Sequence, residues 1–432
     1  MMNIALVVFL AGTKVLSLGE ALQTAQRDQP TVHQAHANTE AARARVGEAR
    51  APLLPQVFGT AQYQRLTTNA TPGALATIGA GSAAGTGVMT PPPSWNTINR
   101  WNFSITAQQT LWDASGQLAR WRQNVASAEA VADNERTTRL TVSLNVRTFY
   151  FAARANKALM QVAKDTLTNQ QKHLDQVQGF VKVGTQPEIA LAQQRTAVAN
   201  AEVQLITSQN NYEVAKAQLN QAIGIERDTN YDVEDESTPP IEGEDSGTDP
   251  LLAEALKERP DYLSLEKQIE AQRLAIWAAK TAYGPNLAAS TSFTDGGSAL
   301  DNLGWNWNFN LTLNWQLFQG GLTWYTVKEQ KANLDSVVAQ RDLLRQQVRL
   351  GVEQARLAVR AAKASLIAAN EAEVNAKEQL RLAEGRYAAG VGSIIELGDA
   401  QVAATTAQAQ KVQADYNVST ARAQLLNALG RF

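Results

Sequence analysis

The chain has 432 residues, of which 44% are hydrophobic but only 6% aromatic, and its formal charge is −2 at neutral pH. Much of the apolar fraction is alanine, which cannot fill one thick globular core, so long thin helices packed through small side chains are expected instead. The balanced charge offers no basic excess for nucleic acid, and the lack of cysteine leaves no disulfide frame, thiolate metal site or cysteine nucleophile, without fixing the compartment.

In chain order, "IALVVFLAG" (4–12) has the length of a signal-peptide apolar region but is too short to span a bilayer as a helix. Residues 1–16 are therefore expected to be a residual export signal. No other stretch approaches the roughly eighteen apolar residues a membrane helix needs, so any membrane insertion must use strands. A helix is expected over about 18–51, ended by Pro52 and Pro55. A strand at 55–67, a loop at 67–98 without a charged residue and rich in Gly, Thr, Ala and Pro, and a return strand at 99–112 follow. From 114 to 183 no proline interrupts the helical pattern, and some 70 residues at ~1.5 Å each make a rod on the order of 100 Å. After a turn, Ala201, Leu205, Ser208, Tyr212, Ala215, Leu219 and Ala222 follow the 4-3 spacing of a coiled-coil seam with mostly small knobs.

Residues 225–250 carry ten acidic side chains against one arginine and read as a solvated linker, with a place in a collar around the helices as an alternative. The second half, 251–432, repeats the pattern: a helix over about 249–283 ended by Pro285, strands at 286–294 and 305–318, and long helices over 320–430. "RDQPTVHQAHANTEAARARVGEARAPLLPQV" (27–57) aligns with "KERPDYLSLEKQIEAQRLAIWAAKTAYGPNL" (257–287), and Leu111 to Gly224 lies without a gap on Leu317 to Gly430 at roughly a quarter identity. One unit is used twice. The fold class is α+β, mainly α.

"WNWNFNLTLNWQLF" (305–318) aims Trp305, Trp307, Phe309, Leu311, Leu313 and Trp315 one way, and Asn306, Asn308, Asn310, Thr312, Asn314 and Gln316 the other. A strand of a soluble sandwich alternates too, but its polar face normally carries charge, and this one carries none. Five of the nine tryptophans fall in the two return strands, where an interfacial girdle would lie. A lipid-facing apolar side and a pore-facing asparagine side follow. Four strands cannot close a barrel and open edges are not tolerated in hydrocarbon, so several chains must pool their strands. A homotrimer would give a 12-stranded transmembrane β-barrel, wide enough for a water-filled lumen lined by the asparagines.

The paired units, the strand pairs followed by very long helices, the "AQLNQAIG" and "AQLLNALG" ends, and "RYAAGVGSIIELGDAQ" (386–401) together resemble the TolC-like outer-membrane efflux proteins. The resemblance implies a trimeric conduit, with its barrel in the cell outer membrane and its helical tunnel in the periplasm, serving tripartite efflux or type I secretion. Its partners would be an inner-membrane transporter and a periplasmic adaptor. The turns Val183–Gly184–Thr185 and Gly390–Val391–Gly392 would form the adaptor-docking tip, and Tyr387 would sit where the family keeps an aromatic that holds the tip shut. Glu396 and Asp399 match positions that face the lumen as an acidic ring, which would favour cations. They also stand near the start of the last helix, where acidic residues suit the dipole, and both readings remain open. Gly392 and Ala190 depart from the family's clasp. No phosphate loop, Ser/His/Asp pattern or zinc spacing is present, so no catalytic site, metal or cofactor is expected. The rival reading is a soluble periplasmic coiled-coil adaptor or structural protein.

Overall fold

A computed structural model describes residues 14–67, 95–226, 231–236 and 238–432. It divides into two compact units, one of residues 1–41, 129–267 and 337–432, the other of residues 42–128 and 268–336. Each unit takes segments from both repeats, so the repeats are not separate domains.

The first helix of each repeat is in fact two. Strand β1 (Lys14–Leu16) leads into α1 (Leu18–Asp28) and α2 (Pro30–Arg50), and the second repeat has α5 (Thr248–Glu258) and α6 (Pro260–Thr281). The break lies at Gln29 and Arg259, both in extended backbone at ψ near 120°. Each precedes a proline, which disfavours the helical region for the residue before it while itself suiting a first helical position. The expected single helices at 18–51 and 249–283 are corrected accordingly. Lys14, Val15 and Leu16 pair in parallel with Tyr231, Asp232 and Val233 of β4, so residues 14–16 of the expected export signal belong to the fold. Residues 1–13, and 68–94 of the expected loop, lie outside the described residues.

The long helices α3 (Gly116–Lys182) and α7 (Leu322–Ala388) each have 67 residues, and α4 (Glu188–Ile223) and α8 (Ile394–Leu429) each have 36. In the first unit these helices build two equivalent cores. Val142, Val146, Leu219 and Ile223 pack with Ala21 and Ala25 in one. Val348, Val352, Leu425 and Leu429 pack with Leu251 and Ala255 in the other. Of the coiled-coil seam in α4, all but Leu205 are buried.

The recurrent "IG" and "LG" ends have a positional cause. Gly224 and Gly430 cap α4 and α8 in left-handed backbone (φ 86° and 78°), a region that costs glycine nothing. A Cβ on Gly224 would meet Asp28 O at 2.8 Å, and one on Gly430 would meet Arg259 Cα at 3.0 Å. Each helix end is thus pressed against the proline break of its own repeat. Gln29 Nε2 donates to the carbonyls of Gln221 and Ala222 (3.2 and 3.1 Å), and Arg259 Nη1 to that of Ala428 (3.3 Å).

The acidic segment is docked rather than solvated throughout. Tyr231, Val233, Thr238, Ile241 and Glu244 are buried. Lys157 pairs with Asp232 at 2.7 Å, Arg154 with Asp235 at 2.5 Å, and Lys363 with Asp245 at 3.0 Å. Glu244 receives Arg422 and Lys363, both at 3.0 Å.

In the second unit four strands form an antiparallel sheet in the order β2–β3–β5–β6, of β2 (Gln56–Thr67), β3 (Thr97–Trp112), β5 (Asn286–Ala299) and β6 (Asn302–Asn314). The β3–β5 pairing joins the two repeats. Strand β5 runs five residues beyond the expected 294, through Gly296 and Gly297, where a Cβ on Gly297 would run into Asn302 O of the tight hairpin. Strand β6 ends at Asn314 rather than 318, because its last partner is Asn286 and Pro285 before it has no N–H to extend the ladder.

Candidate functional site

Two places stand out. In the sheet, directly opposed residues of an antiparallel pair share a face. The register aligns Trp305, Trp307, Phe309, Leu311 and Leu313 with Asp295, Phe293, Thr291, Ala289 and Leu287. The same face continues over Phe103, Ile105 and Ala107 of β3 to Ala61, Gly59 and Val57 of β2. Its large side chains are exposed: Trp305 is 72% accessible, Trp307 61% and Leu313 64%. Trp315 lies past the strand end, 57% exposed, its Nε1 donating to Tyr283 O at 3.1 Å. The opposite face aligns Asn306, Asn308, Asn310, Thr312 and Asn314 with Thr294, Ser292, Ser290, Ala288 and Asn286, and carries on over Gln108, Thr106, Ser104 and Asn102. Among the described residues Arg100 is the charged exception on it, opposite Gln64.

The second place is the pair of turns in the first unit. After α3, Gly184 is left-handed (φ 78°), and the Thr185 N–H and hydroxyl both donate to Phe180 O at 3.0 Å. Val183 is 71% exposed. After α7, Gly390 is left-handed (φ 74°), and the N–H groups of Val391 and Gly392 both donate to Arg386 O at 3.0 Å. A Cβ on Gly392 would lie 2.9 Å from Tyr387 N and 3.0 Å from Arg386 C. That close approach favours glycine there, and a side chain at 392 would have to shift the end of α7.

Ser393 then caps α8, its hydroxyl accepting from Glu396 N at 3.1 Å. Glu396 is in the first turn and pairs with Arg386 Nε at 3.0 Å. Asp399 is one turn further, where the dipole effect has faded, and it is exposed with no ion pair among the described residues. The structure therefore separates two carboxylates that the sequence presented as equals: the capping account fits Glu396 and not Asp399. Leu397 and Ala400 pack on the other side of α8, with Tyr387, Val177, Ala190 and Ala383.

Tyr387 is 3% exposed, edge-on to Phe180 with centroids 5.9 Å apart. Burial pushes its phenol pKa up, and its hydroxyl has no hydrogen-bond partner among the described residues. It joins α7 to the α3–α4 hairpin through apolar packing. Next to this cluster the seam is polar. Gln194 Nε2 donates to Gln170 Oε1 (2.8 Å), and Gln170 Nε2 to Gln401 Oε1 (2.9 Å). The buried His173 lies 3.6 Å from Glu384. The Gln170–Gln194–Gln401 seam and the pairing of Arg386 with Glu396 are not evident in the sequence; the available signal was polar side chains standing at seam positions. Among the described residues no group of three or more His, Asp or Glu side chains could hold a metal, and no helix is long and apolar enough to cross a membrane.

The family pattern described as "Outer membrane efflux protein" matches residues 21–225 and again 251–431, nearly the whole chain in two copies. The chain belongs to the outer membrane efflux protein family. Family members are outer-membrane proteins with a periplasmic helical part, and this chain shares that location. It is 26% identical over 456 aligned residues to the outer membrane protein TolC of Escherichia coli, covering 98% of this chain and 84% of that protein. To the solvent efflux pump outer membrane protein SrpC of Pseudomonas putida it is 27% identical over 314 residues, 70% of this chain and 64% of SrpC. The chain thus spans a little under two thirds of that relative. Among solved structures, a membrane protein from Pseudomonas aeruginosa superposes with a TM-score of 0.81 at 19% identity, over 97% of this chain and 91% of that one. The Campylobacter jejuni CmeC outer membrane channel gives 0.80 at 18% identity, over 96% and 85%. At these identities the structures establish the shared fold.

Proposed function

We propose that three copies of this chain form a passive exit duct through the outer membrane, driven by an inner-membrane transporter and joined to it by a periplasmic adaptor. The carrying observation is the sheet. It has an exposed apolar face, an almost uncharged polar face, and two edges, on β2 and β6, unpaired among the described residues. Trp101 and Trp112 stand eleven residues apart in β3. At ~3.3 Å per residue and a tilt near 40°, that separation is about 28 Å of height, close to the roughly 25 Å apolar band of an outer-membrane barrel. Twelve pooled strands close the edges, with asparagine lining the lumen and Trp307, Phe309 and Leu311 facing lipid.

The helices support self-association too. Leu343, Leu350 and Leu357 are exposed at seven-residue spacing on α7, as are Ile367 and Val374. That heptad stripe is wasted in a monomer and suits a neighbouring copy. The turns at 183–185 and 390–392 are the docking tip for the adaptor, Tyr387 holds the hairpins together, and Asp399 with Glu396 forms the lumenal acidic ring. Small organic molecules are the favoured cargo class over secreted protein, on the strength of relatives named for solvent and toluene efflux. The test is conductance. Purified protein added to a planar lipid bilayer is expected to give cation-selective steps that Asp399→Asn makes less selective. A protein that never inserts would overturn the reading.

A further inference from the structure

The internal repeat extends to the pairing of the strands. It lays β2 on β5, with Pro55 on Pro285, and β3 on β6, with Leu111 on Leu317. The observed register obeys that correspondence: Gln56 faces Gln108 as Asn286 faces Asn314, and Ala61 faces Phe103 as Thr291 faces Phe309. The sheet therefore contains the β2–β3 pairing twice, but the β3–β5 pairing that joins the repeats only once. Its counterpart would join β6 to a β2, and within one chain these are the opposite edges of the sheet.

The missing pairing leaves two marks. Strand β3 outruns β2, and its last residues, Gln109, Thr110 and Trp112, are paired only with Ala289, Ala288 and Leu287 of β5. The repeat sets them on Trp315, Gln316 and Phe318, which lie past the end of β6 with no strand paired to them among the described residues. Trp315 and Phe318 are exposed, and so is Val57 at the start of β2. The other mark is Gly59. It stands inside β2 without a left-handed φ, and a Cβ on it would meet nothing within 4 Å. No close approach within its own chain calls for glycine there, although glycine weakens a strand interior and often marks where another backbone comes near. An aromatic side chain on an adjoining strand offsets that weakness at a sheet edge.

We propose that β6 of each copy pairs antiparallel with β2 of the next copy in the register of β3 with β5. Phe309 then faces the partner's Arg65, Leu313 the partner's Ala61, Trp315 the partner's Gly59 and Phe318 the partner's Val57. Residues 315–318 continue β6 along the neighbouring edge, and the Trp315 side chain comes over the glycine, beside the recess of about 390 Å³ that Gly59 and Ala61 leave before Phe103 and Ile105. The two faces agree in this register. Leu311 and Leu313 share the apolar side with Gly59 and Ala61, and Thr312 and Asn314 share the polar side with Thr60 and Gln62. A slip of one residue would set one strand's polar side level with the other's apolar side. A slip of two keeps the faces but sets Leu313 or Leu317, in place of the indole, against Gly59. This register rests on the duct reading, which needs the two edges to meet, and adds which residues meet.

The chain has no cysteine, so engineered pairs report the contact directly. The full-length chain carries either Ala61→Cys with Leu313→Cys, or Gln62→Cys with Thr312→Cys. Facing residues alternate between closer and wider spacing, so one of these adjacent pairs is the closer kind, and they lie on opposite faces, so damage to one face spares the other. In the slipped controls Ala61→Cys is combined with Leu311→Cys or Trp315→Cys, and Gln62→Cys with Asn310→Cys or Asn314→Cys. Outer membranes are oxidised with copper phenanthroline and resolved on non-reducing gels. At least one in-register pair is expected to give covalent dimers and trimers at about ten times the yield of any slipped pair. A slipped pair that matches or exceeds both in-register pairs overturns the register, and a membrane-bound trimer that no pair cross-links overturns the seam. The oligomer mass of the unoxidised wild type separates the two proposals. Three copies with a slipped cross-link sink the register alone, whereas a wild type that is not a trimer sinks the duct.

Discussion

Replacing Glu244 by glutamine tests how the acidic segment is held. The side chain of Glu244 is 5% exposed. Its Oε2 accepts from Arg422 Nε (3.0 Å) and Ile241 N (3.1 Å), and its Oε1 from Lys363 Nζ (3.0 Å) and Arg422 Nη2 (3.1 Å). Burial alone would raise its pKa, but the bonds from Arg422, Ile241 and Lys363 outweigh that and bring it down to about 2 from 4.5. The difference corresponds to roughly 3 kcal/mol of stability carried by the ionised form. Because the folded pKa is the lower one, that stability is fully present above about pH 4.5 and fades as pH falls toward 2. Glu244→Gln should therefore lose about 3 kcal/mol at pH 7, with the gap to the wild type closing between pH 5 and 2.5. Urea unfolding of the detergent-solubilised protein, followed by helical circular dichroism across that range, measures it. A gap that stays constant with pH would refute the electrostatic account, and no gap at neutral pH would refute the importance of the knot.

Gly392→Ala should strain the α7–α8 turn by about 1–3 kcal/mol, since the added Cβ lies 2.9 Å from Tyr387 N; faster amide exchange over 386–399 would register it. Arg386→Gln frees Glu396 from its 3.0 Å partner, so the entrance should become more cation-selective by reversal potential, in the direction opposite to Asp399→Asn. Leu350→Lys places a charge in the middle of the exposed α7 stripe and should shift the oligomer toward smaller species by light scattering, with helical content unchanged.

The sequence made the repeat and the strands legible because both are written in local pattern. Period-two alternation from Trp305 to Asn314 needs no knowledge of the rest of the chain, and Pro285 marks where β5 begins. The breaks at Gln29 and Arg259 were harder, because proline at the first turn of a helix is compatible with helical composition on either side. The acidic segment misled for a different reason. A charge run normally reads as solvated, and its cations lie far away: Lys157 is 75 residues from Asp232, and Arg422 is 178 from Glu244. The candidate tip was half legible. The glycine turns and Glu396 and Asp399 were visible in "RYAAGVGSIIELGDAQ", but the glutamine seam and the Arg386 pairing depend on helices meeting across the fold. Gly392 read as a missing side chain until the backbone contact gave it a cause.

The central claim is that the four-stranded sheet is one third of a closed membrane barrel. The most direct measurement is the protein mass of the oligomer extracted from isolated outer membranes of a Gram-negative host. The account predicts membrane-bound particles containing three copies of the 46.8 kDa chain. Soluble monomers or dimers, from a chain confirmed to have been exported, would contradict it.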